Sequence, residues 1–320
     1  MFLGNHQIFF RSWIRSDRSS STTDQDGATM PATFDASPEQ LRTFVAVIEH
    51  GTLEAAAREL SVTPSAVSQR IKALEQSLGR ALLRRGKPAR PTESGEIVLQ
   101  LARQLDLVTA DALTQLTGGG ELVPVSLVVN ADSLATWAMP ALAAAARAGV
   151  MLEVTRDDQD HSAASLRDGS VMAVVSSESR PQPGCTVRRL GTMVYRPMAT
   201  PDYLARWLPD GPTPEALSRA PLVVFDRRDD LQAAWLRRRT RRRLAPPQHV
   251  VPESVSYRNA VASGLGWGMI PTLQMIEPLV PLVEDADLSV RLYWHQWKLQ
   301  SASLQLVATE FATAAAEHLN

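Results

Sequence analysis

The sequence predicts a multi-domain α/β chain, and three observations predict it. Residues 37–79 carry three short helix patterns in quick succession. Residues 92–117 carry one long apolar seam. From residue 123 onward, short apolar strands alternate with helix patterns, which argues for parallel strands with helices on both faces. The chain has 320 residues, 44% apolar and 21% charged, too apolar for wholesale disorder and long enough for two or three packed domains at roughly 100–200 residues each. With 33 basic and 34 acidic side chains the net charge is −1, which excludes a uniformly basic protein and says nothing of local patches. A single cysteine, Cys185, builds neither a disulfide framework nor a thiolate metal site, so a reducing cytoplasm is expected. No stretch approaches the ~20 apolar residues of a membrane helix, so no membrane partner is expected.

Residues 1–34 differ from the rest. Ile8-Phe9-Phe10 is too short for the apolar core of a secretory signal, about 7–15 residues. A disordered extension is expected, with Met30 standing as an alternative start.

Ser37-Pro38-Glu39 reads as N-cap, first helical position and first-turn acid. Leu41, Phe44, Val45 and Ile48 then mark one apolar helix face, and Gly51 stops it. Thr52 caps a second helix with Leu53, Ala56, Ala57 and Leu60 on one face. Thr63 and Pro64 start a third, which Gly79 ends. Its Val67, Ile71, Leu74 and Leu78 point one way, while Ser65, Ser68, Gln69 and Lys72 fall opposite. Short hydroxyls, an amide and a cation are groups that donate to base edges and phosphates in a DNA major groove. Arg70 flanks that face, within reach of a phosphate. Leu82-Leu83 and Gly86-Lys87-Pro88 suggest a two-stranded wing bearing Arg80, Arg84, Arg85, Lys87 and Arg90. A short helix, a three-residue turn and a polar-faced helix make a helix-turn-helix; a plain helical bundle with a solvated face is the competing reading. Residues 63–90 together hold a local charge of +6.

From Thr92 the chain turns helical again, with Val98, Leu101, Leu105, Val108, Ala112 and Leu116 close to an a/d seam. Gly118-Gly119-Gly120 breaks it. Strands are then expected at 123–129, 152–155, 171–175, 194–199, 222–225 and 266–270. A helix is expected from about Asp132, a crossing strand at 291–297, and a last helix over about 303–318. In open α/β sheets ligands sit beyond the strand ends, at helix N-termini. The turn at 130–137 is such a place, where backbone N–H groups, Ser133 and Thr136 suit a carboxylate. For Asp132 and Ser133, helix capping and ligand contact are both open. Acids recur at the other strand ends: Asp157, Asp158, Asp160, Glu178, Asp226 and Glu253. A carboxylate trap beside several acids matches a ligand with an acid end and a cationic end.

Three segments carry a resemblance: F-V-A-V-I-E-H-G-T-L-E-A-A-A-R-E-L at 44–60, P-S-A-V-S-Q-R-I-K-A-L-E at 64–75 and P-T-E-S-G at 91–95. They are similar to the winged helix-turn-helix of LysR-type transcriptional regulators, with Leu83 where that family usually has phenylalanine. V-N-A-D-S-L-A-T-W at 129–137, D-D-Q-D-H at 157–161, F-D at 225–226, G-L-G-W-G at 264–268 and L-Y-W-H at 292–295 resemble its LysG/ArgP subgroup. The resemblance spans about residues 38–318. It implies a winged helix-turn-helix over 35–95, a linker helix over 92–117 that pairs two subunits, and a periplasmic-binding-protein-like effector domain. Lobe I of that domain would comprise 122–196 plus 294–320, and lobe II 197–293.

The implied DNA-binding residues are Thr63, Ser65, Ala66, Ser68, Gln69, Arg70, Lys72, Arg84, Arg85 and Lys87. The implied effector residues are Asn130, Asp132, Ser133, Thr136, Trp137, Asp158, His161, Ser176, Asp226, Glu253 and Trp267. The implied partners are double-stranded operator DNA, RNA polymerase, L-lysine or L-arginine as effector, and a second copy in a homodimer or homotetramer. The expected setting is cytoplasmic and nucleoid-associated, and the expected output is activation of a basic-amino-acid exporter gene. No cofactor or metal is implied.

A broader architectural or replication-related DNA-binding role is the runner-up. An enzyme is the rival class, and no sequence feature asks for one. Asp160, His161 and Ser162 are neighbours in sequence, which is not a relay, and no G-x-S-x-G elbow occurs. Gly264, Gly266 and Gly268 lack dinucleotide-loop spacing and read as a tight turn before a buried strand. The 6 histidines include no H-x-x-x-H pair. Residues 237–243 hold six arginines. A solvated helix end and a second DNA or oligomer contact are both open readings of that run.

Overall fold

The computed structural model describes residues 36–84, 86–117, 124–156, 162–167 and 169–320. The expected N-terminal extension, Arg85, the glycine break at 118–120, and Asp157, Asp158, Asp160 and His161 lie outside the described residues. Two compact units form, one ending at Gly95 and one spanning Glu96–Asn320.

Side-chain caps set the first unit. The Ser37 Oγ accepts from the Gln40 amide and the Gln40 side chain accepts from the Ser37 amide, opening α1 (Pro38–His50). Gly51 ends it in the left-handed region at φ 73°, a conformation that costs a residue with a Cβ. Thr52 caps α2 (Leu53–Glu59) and Thr63 caps α3 (Pro64–Leu78), each through Oγ1. Phe44, Val47, Ala56, Ala57, Val67, Ile71 and Leu74 are buried where the three helices pack. The wing is an antiparallel ribbon of β1 (Leu83–Arg84) and β2 (Arg90–Pro91), and α4 (Glu93–Thr117) follows it.

The second unit begins with β3 (Val125–Val129), α5 (Ala131–Leu134), α6 (Ala138–Arg147), β4 (Leu152–Arg156), α7 (Ser162–Arg167) and β5 (Ala173–Ser176). β3 lies between β4 and β5 and runs parallel to both. Next come β6 (Cys185–Ala199), α8 (Pro201–Trp207), α9 (Pro214–Leu217), β7 (Leu222–Val224), α10 (Leu231–Arg239), β8 (Gln248–Val250) and α11 (Ser254–Ala262). β9 (Gly268–Pro271), a 3-10 turn at Thr272–Gln274, β10 (Val280–Pro281), β11 (Leu288–Trp297) and α12 (Ala302–His318) complete it.

Three expectations need correction. The strand expected at 194–199 begins at Cys185, because β6 pairs antiparallel with β11 from Tyr195 opposite Leu288 to Cys185 opposite Trp297. The main sheet is therefore mixed: seven strands in the order β10-β6-β11-β5-β3-β4, with β9 also on β6. The two long strands carry the chain out of the first lobe and back, so they run oppositely and each is the other's partner. The helix expected from Asp132 is two helices, with Trp137 between them.

Trp137 is fully buried and meets the Phe311 ring edge-on at 5.9 Å, and Trp294 lies 4.8 Å from the same ring. These aromatics fasten α12 over α6 and the sheet, at about 1.5–3 kcal/mol for a fully buried large apolar side chain. Asp111 of α4 accepts from the Ser301 and Ser303 hydroxyls, each at 2.6 Å, and so holds the N-terminus of α12, where a carboxylate also meets the favourable helix dipole.

Candidate functional site

The described residues offer two sites. In the first unit, α3 buries Val67, Ile71 and Leu74 and leaves Ser65, Ser68, Gln69 and Lys72 exposed on its other face, the split that helical spacing predicts. Thr63 is exposed and spends its Oγ1 on the Ala66 amide, and Ala66 is half-buried. Arg70, half-buried, flanks that face and has partners within the unit. Its guanidinium pairs with Glu39 at 3.2 Å and donates to Thr43 Oγ1 at 3.4 Å, so it ties α3 to α1. Arg84 and Lys87 of the wing are exposed, as are Arg80 and Arg90. Glu75, which the sequence reading passed over, places that wing: its Oε1 accepts from the Leu82 amide at 2.7 Å and the Leu83 amide at 3.3 Å. Glu75→Ala is expected to orphan both amides at a cost of about 1–3 kcal/mol. It should also weaken DNA binding several-fold in fluorescence anisotropy, with Glu75→Gln retaining most of the affinity.

The second site is a cavity of about 270 Å³ between the two lobes. Its wall takes Asn130, Ala131 and Asp132 from the β3–α5 turn and Tyr195 from β6. Phe225, Asp226, Arg228, Asp229, Asp230, Leu231 and Ala234 come from the β7–α10 segment, with Tyr257 from α11 and Met269 from β9. Asp132 is held at both oxygens: Tyr195 donates to Oδ2 at 2.8 Å and Ser254 to Oδ1 at 2.7 Å. Asp226 Oδ1 accepts from the Arg228 and Asp229 amides, and Asp229 accepts from the Phe225 and Leu231 amides, which folds the loop into a cup. Asp230 pairs with Arg237, which keeps its carboxyl below the usual range.

Burial pushes the carboxyls of Asp132 and Asp229 above the usual carboxylate value, against the hydrogen bonds that lower them. Burial likewise raises the hydroxyls of Tyr195, beside Asp132, and Tyr257, beside Asp229, so both stay protonated donors. The Tyr257 oxygen accepts from the Met269 amide and from Gln232 Nε2, each at 2.8 Å. The Asn130 Oδ1 is buried with no hydrogen-bond partner among the described residues. An orphaned acceptor costs about 1–3 kcal/mol, which a ligand N–H recovers. Four carboxylates, a spare amide oxygen, one guanidinium and the Phe225 face make a wall suited to a zwitterion with an extra positive charge.

Of the expected effector residues, the structure brings Asn130, Asp132 and Asp226 together. Ser133 is buried and accepts from Trp137 Nε1 at 3.1 Å, fixing that ring in the core. Thr136 Oγ1 donates to the Asp132 carbonyl at 2.6 Å. Ser176 Oγ accepts from the Glu178 amide at the end of β5. Glu253 caps α11 through the Val255 and Ser256 amides, whose hydrogen bonds lower its pKa. Trp267 lies fully buried, 5.1 Å from Trp235. None of these six is in the cavity wall: Ser133, Trp137 and Trp267 are buried, Glu253 caps a helix, and Thr136 and Ser176 make local backbone hydrogen bonds.

A polar-faced helix-turn-helix with a basic wing, followed by a two-lobed unit with an acidic inter-lobe cavity, defines the class of ligand-responsive bacterial regulators. The chain belongs to the LysR family. Residues 38–96 match the bacterial regulatory helix-turn-helix protein, lysR family, and residues 120–316 match the LysR substrate binding domain. The HTH-type transcriptional regulator LysG of Mycobacterium tuberculosis is 42% identical over 286 residues, covering 88% of this chain and 93% of that protein. The lysine export transcriptional regulatory protein LysG of Corynebacterium glutamicum is 37% identical over 292 residues, covering 88% and 99%. The solved structure of full-length LysG from Corynebacterium glutamicum with bound effector Arg matches with a TM-score of 0.74 at 35% identity, covering 89% of this chain and 99% of that one. These relatives are transcriptional regulators, and this chain is a regulator of the same kind, not an enzyme.

Proposed function

We propose that the inter-lobe cavity takes a basic amino acid, arginine or lysine, and that its occupancy sets transcription of an exporter gene for that amino acid. The acidic wall carries this reading: Asp132, Asp226, Asp229 and the unpaired Asn130 Oδ1 present acceptors to a guanidinium or ammonium group. Arg228 on the same wall offers a cation to the ligand carboxylate. The arginine in the LysG structure and the export role in a relative's name support it. Ser65, Ser68, Gln69 and Lys72 read the operator, and Arg84 and Lys87 hold phosphates. The α4 seam leaves Leu105, Ala112 and Leu116 exposed within one chain, which supports pairing of two copies along it. A shift between two arrangements of the lobes or subunits then alters DNA bending or contact with RNA polymerase.

Isothermal calorimetry on the full chain tests the ligand. Arginine and lysine are expected to release heat, and citrulline, which matches arginine in shape without its charge, is not. Equal binding of citrulline, or no heat with any basic amino acid, would sink the reading. Footprinting upstream of the neighbouring divergent gene, with and without the bound amino acid, tests the regulatory half.

A further inference from the structure

Apart from Arg237, which pairs with Asp230 of the cavity wall, the arginine run at the end of α10 serves neither site. Arg237, Arg238 and Arg239 close the helix, and Arg241, Arg242 and Arg243 follow in an irregular stretch; all six are exposed. A helix C-terminus gains from cations only within its last turn, so the helix dipole does not account for the last three. Arg237 pairs with Asp230, Arg242 with Glu215, and Arg239 lies over the Trp235 ring at 5.4 Å. Arg238, Arg241 and Arg243 have no partner among the described residues. Exposed Arg219 adds to the same patch, since it and Arg242 both act on Glu215. The result is a dense positive field with two carboxylates inside it.

We propose that this patch is a second nucleic-acid contact, one that grips the phosphate backbone of the duplex without reading its sequence. Its composition favours DNA over an acidic protein. Protein–protein interfaces centre on exposed aromatic and apolar anchors with charge depleted, whereas here the neighbouring apolar side chains, Trp235 and Leu236, are buried. Protein–DNA interfaces are polar and strongly cationic, and most of their hydrogen bonds go to phosphate and sugar. The guanidinium fork also matches a phosphate bidentately. This inference rests on the chain's being a DNA-binding regulator and adds a contact outside its helix-turn-helix.

The test is salt-dependent binding of the full chain to a duplex of about 60 base pairs from upstream of its own gene, and to a random duplex of equal length, by fluorescence anisotropy. The triple variant Arg238→Gln, Arg241→Gln, Arg243→Gln is expected to flatten the slope of log affinity against log salt by about 2.7 for each patch engaged, equally on both duplexes. The matching triple Arg→Lys variant is expected to keep the slope, which separates lost charge from lost fold. An unchanged slope in the glutamine variant overturns the proposal. So does an unchanged slope with reduced polymerase-dependent transcription, which would assign the patch to a protein partner. Preference for the upstream duplex over the random one, and its loss in Gln69→Ala, reports on α3 alone. Failure there would leave the patch result standing by itself.

Discussion

Asp132→Asn is expected to abolish effector binding at working concentrations while making the ligand-free protein more heat-stable. The two effects share one cause. Asp132 sits in the β3–α5 turn with its oxygens held by Tyr195 and Ser254, and burial raises its carboxyl above the ordinary value of 3.8. A carboxyl with a raised folded-state pKa binds its proton more tightly when folded than when unfolded. Stability is therefore lost as pH rises from the unfolded value through the raised one, and above that the buried charge is a standing cost. Asparagine removes the charge and keeps an oxygen for one of the two hydroxyls. At neutral pH the variant is expected to melt at a higher temperature than the parent. Its melting temperature should also flatten against pH, from pH 4 upward. A cationic ligand, by contrast, loses a charge-assisted partner inside a cavity, about 2–4 kcal/mol or roughly 30- to 1000-fold in affinity. Calorimetry with arginine and a melting series across pH measure both halves. Unchanged affinity removes Asp132 from the site, and an unchanged pH profile removes the buried charge.

The same residue shows how far the chain could be read before folding. Asp132 and Asp226 stood out because strand ends in open α/β sheets point at ligands, and both line the cavity. Tyr195 did not stand out. It belongs to a strand whose first half, C-T-V-R-R-L-G-T-M, looks like a polar loop until β11 is laid beside it. Pairing between residues about a hundred positions apart leaves no local periodicity, so only the 194–199 end of the strand was legible, and nothing local marked its tyrosine as a cavity residue. Asp229 and Tyr257 were hidden differently, since each reaches the cavity through a loop or helix whose own pattern is unremarkable. Arg70 has a partner that its own helix does not reveal: its place beside the polar face of α3 suggested phosphate, and the folded chain also sets Glu39 of α1 against it. The helix ends were legible because caps are local chemistry: Ser37, Thr52, Thr63, Gly51 and Gly79 all act within a few residues of where they stand.

The glycines divide along the same line. Gly268 ends the G-L-G-W-G stretch, and a Cβ there would stand 2.5 Å from the Tyr257 hydroxyl and 2.8 Å from Val261 Cγ2. The close spacing of glycines suggested a turn, whereas the requirement at this one is room for a cavity tyrosine. Conformation is not the constraint at Gly268, which begins β9; proximity is.

Gly95→Ala is the substitution for which local and tertiary rules most sharply disagree, and it is expected to unfold the DNA-binding unit selectively. Gly95 lies in the first turn of α4, where alanine is better than glycine by about 0.8–1.0 kcal/mol, so helix propensity alone predicts stabilisation. The structure reverses the sign. An added Cβ would stand 2.2 Å from the Leu82 carbonyl oxygen and 3.1 Å from Pro91 Cβ. That carbonyl is backbone and already accepts from the Thr92 amide at 2.9 Å. Leu82 itself is fully buried, and its amide donates to Glu75. No side-chain rotation relieves the clash, so α4 must part from the wing, breaking the Thr92 bond and lifting Leu82 from the core. Overpacking of this kind costs about 1–3 kcal/mol or more, which exceeds the propensity gain. A net loss of about 2 kcal/mol lowers the melting point of a unit this small by roughly 8–16 °C. Calorimetry of the full chain is expected to show that drop in one transition, with DNA affinity lost and arginine binding untouched, since every clash falls within residues 82–95. A rise in melting temperature would mean that the wing gives way freely, and the P-T-E-S-G stretch would then owe its glycine to something other than this contact.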